Sequence, residues 1–321
     1  MKKVPVTDIR NYTIGTPKEK LEFINIFGKA IQEFGFVIIE GHDIQNNLID
    51  NCYTLSKQLF EQPLQIKQKY CAADGLGQRG YVSFGIEHAK NSDKADLKEF
   101  WHIGREHFNN KALEKISAKN IWPENELPNF KSVFLELYTQ LDHMALTLLG
   151  AMSEYLGIEK NTLPAMAKDG NTILRALHYP PLNDKHFTSG EIRAAEHEDI
   201  NLMTILCEAT EGGLEILTRE GKWLEIATQK GQMVVDSGDM LSRITNQIIP
   251  ATTHRVVNPK SIKNVSRYSM PFFIHPNENC ELNILKNCLS PSQPTKFPPI
   301  LATEFLLQRL KEIGLGKKKE T

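Results

Sequence analysis

Apolar residues recur along this chain with two different periods, and the change of period divides it. From Lys18 to Phe34, the residues Leu21, Ile24, Phe27, Ile31 and Phe34 fall three or four apart, which predicts a helix with one buried face. Gly35 to Gly41 encloses the short apolar run Phe36-Val37-Ile38-Ile39 between glycines and predicts a buried strand. Leu48 to Tyr70 predicts a second helix, broken at Pro63. The clearest helix runs from Phe130 to Leu156. There Phe130, Phe134, Leu137, Leu141, Met144, Leu148, Met152 and Tyr155 form one stripe, with Gly157 as the terminating glycine. The stripe predicts a core helix backing a sheet.

After Lys168 the period shortens. Thr172–Tyr179, Leu202–Cys207, Leu214–Thr218, Gln232–Asp236, Thr253–Val257 and Tyr268–Ile274 are short segments rich in β-branched and aromatic residues, separated by turn residues. Evenly spaced short strands predict an antiparallel sandwich or barrel, jelly rolls among the candidates. Glu304–Ile313 predicts a last helix, and Lys317 to Thr321 a frayed, charged tail.

Composition narrows the partners. The 38 basic and 39 acidic residues leave a formal net charge of -1, which gives no electrostatic reason to expect nucleic acid or an anionic membrane. No apolar run is long enough to span a bilayer, and Met1–Asp8 has no apolar stretch behind its lysines. The five cysteines are scattered without a Cys-x-x-Cys pair, which predicts a reduced, cytoplasmic protein without disulfides.

The candidate chemistry begins at His197-Glu198-Asp199. In an extended segment His197 and Asp199 share a face and Glu198 points away, so an imidazole and a carboxylate are offered together to a divalent metal. Such a pair is expected about once by chance in a chain of this composition. His254 follows after several predicted strands, and a sheet that curls back brings it to the first pair. Two histidines and a carboxylate make a facial triad that leaves three positions open on octahedral iron. Downstream, Arg267-Tyr268-Ser269 puts a guanidinium and a hydroxyl on one face, a pocket for a carboxylate. Arg243-Ile244-Thr245 is a rival pair by pattern. Taken singly, His254 reads as a packed histidine and Arg267 as half of an ion pair; their order on predicted strands carries the joint reading.

These residues resemble the iron(II)/2-oxoglutarate-dependent oxygenases of the isopenicillin N synthase-like family. The resemblance extends to Gly35–His42, Gly80–Gly85, Asp96-Leu97-Lys98-Glu99, Leu174–Pro181, Gly213–Leu217, Val235–Asp239, His254–Pro259 and Arg267–Ser269. It implies a mainly β (α+β) fold with a double-stranded β-helix (jelly-roll) core, an N-terminal helical or mixed region and flanking helices. The implied organisation is a mixed α/β region over 1–110, a backing helix over 111–167, the jelly-roll core over 168–280, and a C-terminal extension over 281–321. His197, Asp199 and His254 map onto the family's Fe(II) ligands. Arg267 and Ser269 map onto the residues that hold the distal carboxylate of 2-oxoglutarate, with Tyr179 assisting. Where many relatives have asparagine two residues before that tyrosine, this chain has Leu177, so one polar contact to the co-substrate is missing.

The implied reaction uses O2 to oxidise a C–H bond of a small molecule by hydroxylation, desaturation or ring closure, with release of succinate and CO2. Strand alternation puts Arg175 and Leu177 on the face of Tyr179, and Arg193 and Ala195 on that of His197. Arg175 and Arg193 are therefore candidates to bind an anionic substrate, with Phe273 as a further lining residue. His178 is expected to face away as a structural residue. The expected assembly is a monomer or weak homodimer. The alternative within the fold is an isopenicillin N synthase-like oxidase that uses no 2-oxoglutarate. A jelly-roll binding module that has lost its metal would show a damaged triad. A zinc hydrolase would want a general base at the metal, and Glu198 points to the wrong face for that role.

Overall fold

The computed structural model describes residues 3–73, 77–90, 94–183, 186, 190–259 and 264–313, so the tail at 317–321 lies outside the described residues. Helix α1 (Arg10–Thr13) leads into α2 (Pro17–Phe34), which starts on a capping box made by Thr16 and Glu19 with Pro17 in its first turn. It ends at Gly35 in the left-handed region, φ +68°, where a side chain would collide with Thr252. That tight stop leads directly into the buried strand β2 (Phe36–Glu40). The expected break at Pro63 separates α3 (Asn46–Phe60) from α4 (Leu64–Gln68).

The long apolar stripe forms α6 (Phe130–Tyr155), which follows α5 (Lys111–Ile116) and precedes α7 (Thr162–Ala167). Phe130, Phe134, Leu137, Leu141, Leu148 and Met152 are all buried, and each contributes about 1.5–3 kcal/mol by leaving water. Tyr138 packs edge-on against Phe272 at 5.0 Å and thereby seats the helix on the sheet.

Two antiparallel sheets make the core. The larger has the order β1-β2-β10-β7-β12-β5-β4-β3, and the smaller β6-β11-β8-β9. The larger contains β1 (Val6–Asp8), β3 (Gly80–Val82), β4 (Glu99–Gly104), β5 (Ile173–Tyr179), β7 (Met203–Cys207), β10 (Met233–Ser237) and β12 (Arg267–Ile274) as well as β2. The smaller contains β6 (Ala194–His197), β8 (Leu214–Leu217), β9 (Trp223–Glu225) and β11 (His254–Val256). Within the larger sheet only β1 and β2 pair in parallel. This is the expected jelly-roll core. The N-terminal strands β1 to β4 join the same sheet as β5, β7, β10 and β12, so the region before residue 110 completes the core. Among the described residues, no helix is long and apolar enough to cross a membrane.

Alternation along the strands sorts chemistry from core. On β12, Tyr268, Met270, Phe272 and Ile274 join the main hydrophobic cluster, while Arg267, Ser269 and Phe273 turn to the space between the sheets. On β5, Leu174 and Ala176 face the cluster and Arg175, Leu177 and Tyr179 face the intersheet space. Two further helices, α8 (Asp239–Ile244) and α9 (Ala302–Glu312), close one end.

Helix α2 packs so closely on the end of α6 that a Cβ at Gly28 would lie 2.1 Å from the Tyr155 ring. Gly28→Ala should therefore lower the urea midpoint, because overpacking by about 1–3 kcal/mol exceeds the ~1 kcal/mol gain in helix propensity. A raised midpoint would contradict this packing.

Candidate metal centre

The intersheet cleft gathers His197, Asp199 and His254, whose ligand atoms all lie within 4.8 Å of one another. Asp199 Oδ1 is 3.9 Å from His197 Nε2 and 3.7 Å from His254 Nε2. His197 Nδ1 faces the Ala195 carbonyl at 2.7 Å, and His254 Nδ1 faces the Thr252 carbonyl at 3.1 Å. A carbonyl only accepts, so each Nδ1 carries the proton and each Nε2 lone pair is left for a ligand. Burial, reinforced by neighbouring His197, pushes His254 down to about 4, which keeps its imidazole neutral near pH 7. Phe36 packs edge-on against that ring at 5.4 Å. Two imidazoles and one carboxylate fit a divalent iron with open positions.

Backbone bonds fix the carboxylate. Strand β6 ends at His197, and Asp199 lies in the loop that leads to β7. The first amides of α8 hold that loop: Asp239 N donates to Asp199 O at 2.7 Å and Met240 N to Asn201 O at 3.0 Å. Thr204 donates its hydroxyl to Asp199 Oδ2 and receives Asn201 Nδ2 at 2.8 Å. Because the strand stops at His197, alternation no longer governs Glu198. Its carboxylate nonetheless stays outside the ligand group, and accepts from Thr253 Oγ1 at 2.6 Å on the rim of the adjoining cavity. Burial and the charge of Asp199 hold the nearby Asp236 carboxyl well above the usual carboxylate range.

In the same cleft Arg267 is buried, with Nε on the Glu211 carbonyl at 3.0 Å and Nη1 on Ser269 Oγ at 3.2 Å. Among the described residues it has no carboxylate within ion-pair distance. Its guanidinium stands 5.1 Å from the centre of the Tyr179 ring. A buried cation without a counter-ion calls for an anionic ligand. The rival Arg243 is on α8, bonded to the Pro298 carbonyl and stacked on Phe297 and Phe305, away from the cleft. His178 faces the core as expected, bonded to Glu99 and Ser266 and stacked on Tyr268.

A cavity of about 370 Å³ opens beside the triad, lined in part by Glu87, Lys98, Arg175, Phe273, Arg309 and Leu310. Arg175 is on this wall, but its charge is taken. It forms a bidentate pair with Glu87 at 3.0 and 3.1 Å, donates Nε to His102 Nε2 at 2.6 Å, and lies between the rings of Phe100 and Phe273. Lys98 bridges Glu87 and Asp96, each at 2.6 Å. Burial disfavours the Glu87 carboxylate, yet Arg175 and Lys98 outweigh it and hold Glu87 well below its usual range. Two cations thus meet two carboxylates. Helix α9 covers the cavity, with Arg309 on Asp239 at 3.0 Å and Glu312 on Lys90 at 3.0 Å.

Arg193 corrects its expectation. A β-bulge inserts one residue into β6, since His254 pairs with His197 but Val256 with Ala194. The bulge reverses the alternation: Ala194 and not Ala195 shares the cleft with His197. Arg193 leaves the triad side and donates Nη2 to the Val265 carbonyl at 2.6 Å. Burial and then Arg267 push its guanidinium down to about 10. Sequence reasoning missed the roles of Glu87, Asp96, Lys98 and His102, and although it expected the last helix it missed that α9 covers the cavity. The available signal was the i, i+2 pair Asp96 and Lys98 within a segment already similar to the family.

Comparison with known proteins gives the same picture. Residues 4–125 match the family model described as the non-haem dioxygenase in morphine synthesis N-terminal region, and residues 170–276 that of the 2OG-Fe(II) oxygenase superfamily. A 2OG-Fe(II) oxygenase family protein of Caulobacter crescentus is 38% identical over 97% of this chain and 99% of its own, with a TM-score of 0.86. T7H of Neurospora crassa, solved in complex with alpha-KG, is 28% identical over 96% of each chain, again with a TM-score of 0.86. The 2-oxoglutarate-Fe(II) type oxidoreductase ppzC of Metarhizium rileyi is 26% identical over 96% of this chain and 87% of its own.

Removing one member of the buried charge network should cost more than removing a matched pair. Arg175→Met should destabilise by about 3–5 kcal/mol in urea unfolding, and Glu87→Gln/Arg175→Met by less. A double variant as unstable as the single one would contradict the pairing.

Proposed function

The chain belongs to the 2OG-Fe(II) oxygenase superfamily, and from that membership we propose that His197, Asp199 and His254 hold its iron, that Arg267, Ser269 and Tyr179 hold the distal carboxylate of 2-oxoglutarate, and that the substrate is a small polar molecule without net charge. The protein is an enzyme that uses Fe(II), 2-oxoglutarate and O2 to oxidise a small molecule. The oxidase alternative without 2-oxoglutarate is not favoured, since relatives are named for 2-oxoglutarate and T7H is solved with alpha-KG. The observation that carries the residue assignment is the convergence of two outward Nε2 lone pairs and one carboxylate in the cleft that also holds a buried arginine with no carboxylate partner among the described residues.

When bound, the iron and the keto acid supply O2 activation, with loss of CO2 and succinate as the oxidation proceeds. The protein's own residues orient and enclose. The carbonyls of Ala195 and Thr252 set both imidazole tautomers, and Thr204 holds Asp199 through the carboxylate oxygen not directed at the histidines. Leu306, Leu310 and Ile313, in and after α9, line the cavity and limit water.

The substrate proposal rests on the paired wall of the cavity. Because Arg175 and Lys98 are matched by Glu87 and Asp96, an anionic substrate finds no free cation there, whereas a neutral molecule with donors and acceptors meets a satisfied polar surface. T7H has been solved with thymine, a molecule of that kind. With 2-oxoglutarate and Fe(II) in air, succinate release should rise with neutral polar heterocycles and not with their carboxylated analogues. Stimulation by the carboxylated analogues alone, or by neither class, would overturn the substrate proposal, and iron binding undiminished in His254→Ala would overturn the residue assignment.

A further inference from the structure

The cleft presents donors for an anion unevenly. At one end stand Arg267 and Ser269. Along the wall toward the triad comes Leu177, which pairs with Ser269 across β5 and β12 and offers no polar atom. A dicarboxylate seated with one carboxylate on Arg267 carries the other to the triad end, where a buried anion needs further donors. Arg175 is committed elsewhere: three of its five N–H groups bond Glu87 and His102, and its faces lie against two aromatic rings.

Lys98 remains. It immediately precedes β4, whose Glu99 pairs with His178 and Phe100 with Leu177, so Lys98 comes abreast of Tyr179. The side chain is 5% exposed and lines both the cavity and the cleft, together with His197 and Asp199. An ammonium has three protons. Two are directed at Asp96 Oδ2 and Glu87 Oε1, each at 2.6 Å, which leaves one.

We propose that Lys98 is a co-substrate-binding residue, donating its third N–H to the carboxylate of 2-oxoglutarate that lies at the triad end of the cleft. The proposal rests on the reading that Arg267 and Ser269 hold the other carboxylate. In effect a lysine from the neighbouring strand supplies the polar contact that Leu177 does not. Because Glu87 joins Lys98 to Arg175, the same ammonium links the co-substrate to the substrate cavity wall.

The test is ligand binding to the anaerobic Fe(II)-loaded protein by calorimetry. Two ligands are used: 2-oxoglutarate, and 4-oxopentanoate, which keeps the distal carboxylate and ketone but lacks the carboxylate next to the ketone. Since Lys98→Met alone leaves the buried Asp96 carboxylate without its cation, the working variant is Lys98→Met/Asp96→Asn, compared with Asp96→Asn; thermal melting confirms that both fold. The double variant should bind 2-oxoglutarate about tenfold or more weakly than its reference, as expected for loss of a charge-assisted hydrogen bond, and bind 4-oxopentanoate within about twofold of it. Unchanged 2-oxoglutarate affinity, or equal weakening for both ligands, would overturn the proposal. Failure of the unaltered protein to bind 2-oxoglutarate would instead overturn the reading beneath it.

Discussion

The convergence of two imidazoles and one carboxylate depends on a loop whose backbone is tied down before its side chains are used. Residues 198 to 202 leave β6 and return into β7, and the amides at the start of α8 bond their carbonyls. That fixes Asp199, while β11, paired with β6, brings His254 opposite His197. Each imidazole proton goes to a carbonyl on its own strand or on the turn leading into it, so neither ring can rotate without losing a buried hydrogen bond. The site is rigid because its supports are main chain.

Charge is arranged around this centre with a definite asymmetry. On the substrate side the network of Glu87, Lys98, Arg175 and Asp96 is matched and buried, which leaves a polar wall with no net demand for an ion. At the opposite end Arg267 is buried with carbonyl and hydroxyl partners only, so it does demand one. The cleft thus sets a matched polar wall against a cation that has no carboxylate partner among the described residues. Lys98 stands where the two regions meet.

Much of this was legible in the sequence where local periodicity governs the structure. The helices at Pro17–Phe34 and Phe130–Tyr155, and the alternation of Arg267, Ser269 and Phe273 against Tyr268, Met270 and Phe272, follow from apolar spacing alone. The three residues that the cleft brings together were picked out by residue type and order, and Glu198 stays outside their group although the strand ends at His197. Arg193 was misplaced because a β-bulge reverses every face beyond it, and nothing in Arg193-Ala194-Ala195-Glu196 announces an extra residue. The charge network was only partly legible: alternation turned Arg175 inward, but its pairing with Glu87, 88 residues away, is set by tertiary placement. The covering role of α9 depends on tertiary placement that an amphipathic pattern does not encode.

The most direct test of the central claim is an anaerobic titration of 2-oxoglutarate into the Fe(II)-loaded protein, followed by visible absorption. A metal held by His197, Asp199 and His254 with open positions should take up the keto acid and show a weak visible charge-transfer band that saturates. His254→Ala should lose both the iron and the band. Iron that loads undiminished in His254→Ala, or a native protein that binds iron but never shows the band, would contradict the assignment.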